Sequence, residues 1–241
     1  MKTSGILITG ACAMLAIAVS SCAGPTDNAH IQPAATPPTA STTDAPATPS
    51  MSMPAATIAV NSSAVQVSLA KCFNQQGIYP DGAQFSSGID GDGYACSSNL
   101  LGTAQTCGGV PFQLGSAINS SNVITCQGQS IPLPAGNFSK LQMLAIAVNG
   151  AQSDQVFNLT YADGSKQSFA QSFSDWAQPD SNTGESQAIT MEYRDQSDGS
   201  KDENSYYIFG YTFSLNQTNA VQSLKLPDDD NLKIFAVTLV P

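Results

Sequence analysis

The chain has 241 residues, 41% of them hydrophobic and only 11% charged, with a formal net charge of −10 at pH 7. An acidic surface so poor in lysine and arginine excludes nucleic acid as a partner and excludes broad electrostatic adhesion to anionic headgroups. The single histidine, His30, lies in a low-complexity N-terminal stretch, so Ser-His-Asp, Cys-His and histidine-metal chemistry are unavailable to the rest of the chain.

Met1 and Lys2 make a short basic start, and Ile6 to Val19 is an apolar run. That run is too short to span a bilayer comfortably and fits a secretory leader. The sequence VSSC follows at once, ending at Cys22. A branched apolar residue, two small residues and a cysteine read as a bacterial lipobox. The expectation is a lipoprotein signal peptide over 1–21 and a lipid on the Cys22 thiol. Two or more acyl chains, at about 0.8 kcal/mol per buried methylene, anchor a protein stably. The protein is thus expected outside the cytoplasm, on the cell membrane or outer membrane, with its membrane partner reached through lipid. Ala23, not aspartate, follows Cys22, which in a Gram-negative host favours outward sorting. Loss of Lys2 with the leader takes the net charge from −10 to −11.

Residues 22–58 are mostly Ala, Pro, Thr and Ser, as in PAATPPTASTTDAPATPS. Without large apolar residues to offset ordering entropy, this stretch reads as a disordered tether that holds a domain away from the lipid surface. Residues 59–241 are enough for one well-buried domain.

In that domain helix signals are almost absent, and short runs rich in β-branched and aromatic residues recur between Asn, Asp, Gly and Pro. Tyr207, Phe209, Tyr211, Phe213 and Leu215 alternate with Tyr206, Gly210, Thr212 and Ser214, which is the period of a strand. LTYADGSKQSF reads as a hairpin closed at Asp163-Gly164, and LQMLAIAV as a buried central strand. About ten antiparallel strands at this spacing predict an all-β fold, an antiparallel β-sandwich or jelly roll.

Of six cysteines, Cys12 leaves with the leader and Cys22 is assigned to lipid. In an exported protein the remaining Cys72, Cys96, Cys107 and Cys126 suggest two disulfides. Cys72–Cys96 and Cys107–Cys126 are the favoured pairs, being nearest in sequence, and would contribute about 3 kcal/mol each in the chain-entropy picture. Zinc is disfavoured because no CxxC occurs.

GIDGDGY places Asp90 and Asp92 at alternate positions around a tight turn, two oxygen ligands for a structural calcium. The loop lacks the third Asp or Asn and the distal Glu of an EF-hand, and reads more simply as a Gly-Asp turn. No other cofactor motif appears; GxSxG, HExxH and glycine-rich phosphate loops are missing. A glycosidase-type carboxylate pair drawn from Asp175, Glu185, Glu192 and Asp195 is the one catalytic arrangement left, and it is a minor alternative, since carboxylates on acidic loops are usually just solvated. RDQSDGSKDEN (Arg194 to Asn204) likewise reads as a solvated loop.

The only tryptophan, Trp176, follows Asp175 directly. It reads as a plug covering the sandwich rim. Alternatively it is a stacking platform for a sugar ring, with Asp175, Glu185 or Arg194 binding hydroxyls.

Whole phrases in order, among them FSSGIDGDGYACSSNLLG, IPLPAGNFSKLQMLAIAVNG, SFSDW, MEYRDQSDGSKDE and LKLPDDDNLKIFAVTL, carry a resemblance. From Val65 to Pro241 the chain resembles a galactose-binding-like β-sandwich domain that accompanies bacterial secreted glycoside hydrolases. The resemblance implies an accessory or carbohydrate-binding module and no residue-level ligand set. The expected function is therefore a non-catalytic, lipid-anchored β-sandwich that binds glycan or polysaccharide. The rival is a structural or protein-interaction module of the envelope.

Overall fold

The computed structural model describes residues 63–118 and 120–241. The leader, Cys22, the tether and His30 lie outside the described residues. The strands in chain order begin with β1 (Val65–Gln66), β2 (Ile78–Tyr79) and β3 (Tyr94–Ser97), followed by the one-turn helix α1 (Ser98–Leu101). Next come β4 (Ala104–Cys107), β5 (Val110–Gln113), β6 (Ile124–Gln127), β7 (Ser130–Pro132) and β8 (Lys140–Ala147). Then follow β9 (Gln152–Tyr161), β10 (Lys166–Phe173), β11 (Glu185–Met191), β12 (Arg194–Gln196) and β13 (Lys201–Asp202). The chain closes with β14 (Tyr206–Ser214), β15 (Val221–Lys225) and β16 (Asp228–Val240).

The main sheet has six strands in the order β1-β16-β8-β14-β11, with β6 pairing the first half of β16. A second sheet, β10-β9-β15-β7, packs on it as the other half of a sandwich. Strand alternation in β14 decides which side chains meet that second sheet. The Tyr211 ring meets Phe173 at a tilt, centroids 4.3 Å apart, and Phe213 lies 5.7 Å from Phe157 and 5.1 Å from Phe169. Leu141 and Met143 of β8, paired with Phe213 and Tyr211, fill the same layer. As expected, β8 is central, lying between β16 and β14, and is fully buried from Met143 to Ala147.

The Asp163-Gly164 hairpin also forms as expected. Gly164 takes a φ of 84°, the left-handed region where a Cβ is costly, and the Asp163 carboxylate accepts from the Ser165 N–H at 2.9 Å.

Against the outer face of the main sheet sit two smaller elements, a four-stranded sheet β13-β12-β3-β2 and the hairpin β4–β5. Asn122, wholly buried, ties the chain before β2 to the main sheet. Its side-chain oxygen accepts from the Gly77 and Ile78 N–H groups at 2.8 and 3.0 Å, and its amide donates to the Ile78 and Ser116 carbonyls. Thr238 of β16 donates to the Pro111 carbonyl at 2.7 Å and holds the hairpin down.

The structure departs from two expectations. First, Cys72, Cys96, Cys107 and Cys126 are all free thiols, so the Cys72–Cys96 and Cys107–Cys126 disulfides are not formed. The four lie on separate elements among different neighbours. Cys72 closes a turn on Leu69, Cys96 is buried in β3 near Asp195, Cys107 points at the Ala188 carbonyl, and Cys126 is buried in β6 near Lys233. Second, Arg194 to Asn204 is no solvated loop. It forms the β12–β13 hairpin, with Asp195 only 1% exposed.

Candidate functional site

The residues singled out around Trp176 form a packed joint. Trp176 is 2% exposed and lies 5.3 Å from the Tyr206 ring, so its indole closes the end of the main sheet where the plug reading puts it. The Asp175 carboxylate accepts from the Gly150 and Ala177 N–H groups, both at 2.8 Å, shaping the loop that carries the tryptophan. Glu185 accepts from the Ser174 N–H at 3.0 Å, the Ser174 hydroxyl at 2.6 Å and the Tyr211 hydroxyl at 2.7 Å. The two carboxylates are therefore held by donors of the fold itself. Glu192 is exposed, and Asp195 is buried in the neighbouring layer.

Arg194 reaches this joint from β12. Its guanidinium lies over Tyr94 at 3.4 Å, over Tyr206 at 4.4 Å and within 5.1 Å of Trp176. It is paired with Asp202 at 3.0 Å and sits 3.9 Å from Asp90. Alternation along β12 sends Arg194 to this side and Asp195 to the other. The structure thus brings Trp176 and Arg194 together as a cation–π cluster with little exposed face for a sugar.

Asp90 also serves the fold. Its side chain accepts from the Asp92 and Tyr94 N–H groups at 2.9 and 3.2 Å, and burial raises its carboxyl above the ordinary range. Asp92 points into solvent. Among the described residues no group of three His, Cys, Asp or Glu side chains is placed to hold a metal ion. The hydrogen bonds that Asp90 accepts shape the GIDGDGY turn.

One concavity lies elsewhere, on the main sheet's outer face. A cleft of about 420 Å³ is roofed by the β4–β5 hairpin and floored by β8, β14 and β11. The pairing of Gly210 with Leu144 and Ser186, and of Thr212 with Gln142, puts these residues side by side on the floor. Gly210 keeps that floor flat, since a Cβ there would come within 3.0 Å of the Ser186 hydroxyl. Thr106 and Cys107 form the wall, and the thiol contacts the Ala188 carbonyl at 3.7 Å. Burial pushes the Cys107 thiol up, so it is neutral at physiological pH, and the lining carries no formal charge. Such a surface suits an uncharged ligand rich in hydroxyl or amide groups. Sequence reasoning noted Gly210, Thr212 and Ser214 as one strand face and missed what it meant. Small and polar residues opposite a row of aromatics were the readable signal of an uncovered sheet face.

These features define a β-sandwich domain with one solvent-facing sheet surface shaped into a neutral cleft. The family model of the AziU2-like beta-sandwich domain matches residues 62–241, and the chain belongs to that family. Among curated proteins none matches it.

Proposed function

We propose that this chain is a non-catalytic, lipid-anchored extracytoplasmic module that binds a neutral glycan in the cleft over Gly210. The observation that carries the reading is the cleft's lining. Thr106, Gln142, Ser186, Gln187 and Thr212 bring hydroxyl and amide groups to the lining, beside apolar residues and without a carboxylate or a cation. A concave site with a few convergent polar groups is where a small molecule or one stretch of a polymer binds, and sugar hydroxyls pair with such groups as both donors and acceptors. The resemblance to galactose-binding-like domains accompanying glycoside hydrolases supports the same ligand class. The lipobox ending at Cys22 supports the anchor. No catalytic step is assigned, because Asp175 and Glu185 each accept hydrogen bonds from groups of the fold.

A glycan array probed with the chain from Asn61 onward tests the ligand. Binding to a neutral polysaccharide, lost by at least about tenfold in Thr212→Trp, is the expected result. The tryptophan fills the cleft from an exposed position and leaves the core alone. No retention on any glycan, or equal retention by the filled variant, refutes the reading. Cys22→Ser is expected to release the protein from the membrane fraction.

A further inference from the structure

Asp195 is the most poorly accommodated polar group among the described residues. It is 1% exposed, and neither carboxyl oxygen has a hydrogen-bond partner. β12 pairs it with Ala95 of β3 on one side and with Lys201 of β13 on the other. Cross-strand partners share a face, so Lys201 lies on the face that Asp195 uses, and alternation adds Ser97 and Tyr193.

Those three side chains are the donors that a buried carboxylate needs, and all three are spent on Asp81. Asp81 accepts from the Ser97 hydroxyl, from the Tyr193 hydroxyl at 2.7 Å and from the Lys201 ammonium at 2.8 Å. Lys201 also lies 3.7 Å from the Tyr193 ring. Asp81 belongs to the 80–87 loop, which is closed over this layer by the Phe85 N–H donating to the Ser197 carbonyl at 3.1 Å. At Gly199 a Cβ would stand 2.9 Å from the Gly82 carbonyl oxygen, which shows how tightly loop and hairpin meet.

On the opposite face of the same sheet, Arg194 is taken up by Asp202 and Asp90, and Cys96 is buried with its thiol pushed up by desolvation and by Asp195 and Asp90. No charge there compensates Asp195.

We propose that the β2-β3-β12-β13 layer contains a proton-operated latch. The protonated Asp195 carboxyl lets the 80–87 loop seat over it, and the ionised carboxylate, facing Asp81 without a donor, loosens that loop and layer while the sandwich stays folded.

The direction of the pH response follows from the surroundings. Burial first, and then the Asp81 charge, push the Asp195 carboxyl from 3.8 up to about 6, with Lys201 pulling weakly the other way. A carboxyl whose folded pKa is raised binds its proton more tightly when folded. Its contribution is therefore fully present below the unfolded value and is lost as pH rises through the folded one. Asp81 does not move in that window, because Lys201, Ser97 and Tyr193 hold it below the ordinary range against the upward push of burial.

The test is amide hydrogen exchange on the full chain between pH 4.5 and 7.5, corrected for intrinsic rates, beside a carbon-detected titration of the Asp195 carboxyl. Amides of the 80–87 loop, β3 and β12 are expected to exchange at least about tenfold faster at the higher pH. The midpoint should coincide with the Asp195 titration near 6, and β8 and β16 should stay protected. Asp195→Asn is expected to keep the layer protected at both pH values. Equal protection across the range in the wild type, an Asp195 midpoint below about 4.5, or loss of protection in β8 and β16 in step with the layer each overturns the latch. The titration uses the unaltered protein, so the proposal stands or falls even if the asparagine variant does not fold.

Discussion

The Arg194 guanidinium lies over the Tyr94 ring, its central carbon 3.4 Å from the ring centroid, and through this contact β12 is clamped to β3. The same group touches Tyr206 of β14 and pairs with Asp202 of β13, so one side chain joins the small layer to the main sheet. With side chains 15% and 22% exposed, the pair is partly buried, so losing one partner costs less than in a fully buried pair, about 2–3 kcal/mol. Arg194→Ala is expected to cost that much in urea unfolding. Arg194→Lys is expected to recover less than half, because an ammonium lacks the planar face that stacks on Tyr94. A loss below about 1 kcal/mol for the alanine variant means that the clamp is dispensable.

Trp176 is 2% exposed against Tyr206, so its large apolar surface leaves water on folding. Trp176→Ala is expected to destabilise by about 3–5 kcal/mol, as truncation of core aromatics does. Because the chain has one tryptophan, its emission reports this site alone. The expected spectrum is blue-shifted and resistant to iodide. Red-shifted, quenchable emission with a stable alanine variant restores the sugar-platform role.

The four free thiols differ in accessibility. Cys96 and Cys126 are fully buried, whereas Cys72 and Cys107 are partly exposed, and burial raises all four above the ordinary thiol range. Alkylation of the native protein without reductant, mapped by peptide, is expected to modify Cys72 and Cys107 slowly, and Cys96 and Cys126 only in denaturant. Recovery of any disulfide-linked peptide among the four contradicts this arrangement.

Asn122 satisfies two buried N–H groups and two carbonyls at once. Each buried group left without a partner costs about 1–3 kcal/mol. Asn122→Ala is expected to lower stability by at least about 3 kcal/mol, and Asn122→Asp by a similar amount, since a carboxylate cannot donate to the Ile78 and Ser116 carbonyls. Thermal melts that place either variant within a degree or two of the wild type rule out the bracket.

Local pattern was enough for much of the sandwich. Alternation from Tyr207 to Leu215 identified the inner row that meets Phe157 and Phe173, Asp163-Gly164 marked its hairpin, and LQMLAIAV marked the central strand. These features depend on residues close in sequence, whose spacing and turn chemistry a linear reading sees. The remaining features depend on partners brought together from far along the chain. Arg194 to Asn204 is polar throughout and reads as solvated, yet Asp195 is buried, the 80–87 loop is bonded to the same hairpin and the Tyr94 ring lies against Arg194. An even number of cysteines suggested bridges, but bridging depends on where the thiols point, and the fold sends the four to separate neighbours. Trp176 had several roles open until Tyr206 and Arg194 closed around it. The cleft over Gly210 exists only because the β4–β5 hairpin lies across strands far later in the chain. Burial and concavity are properties of long-range contacts, so only the tertiary structure decided them.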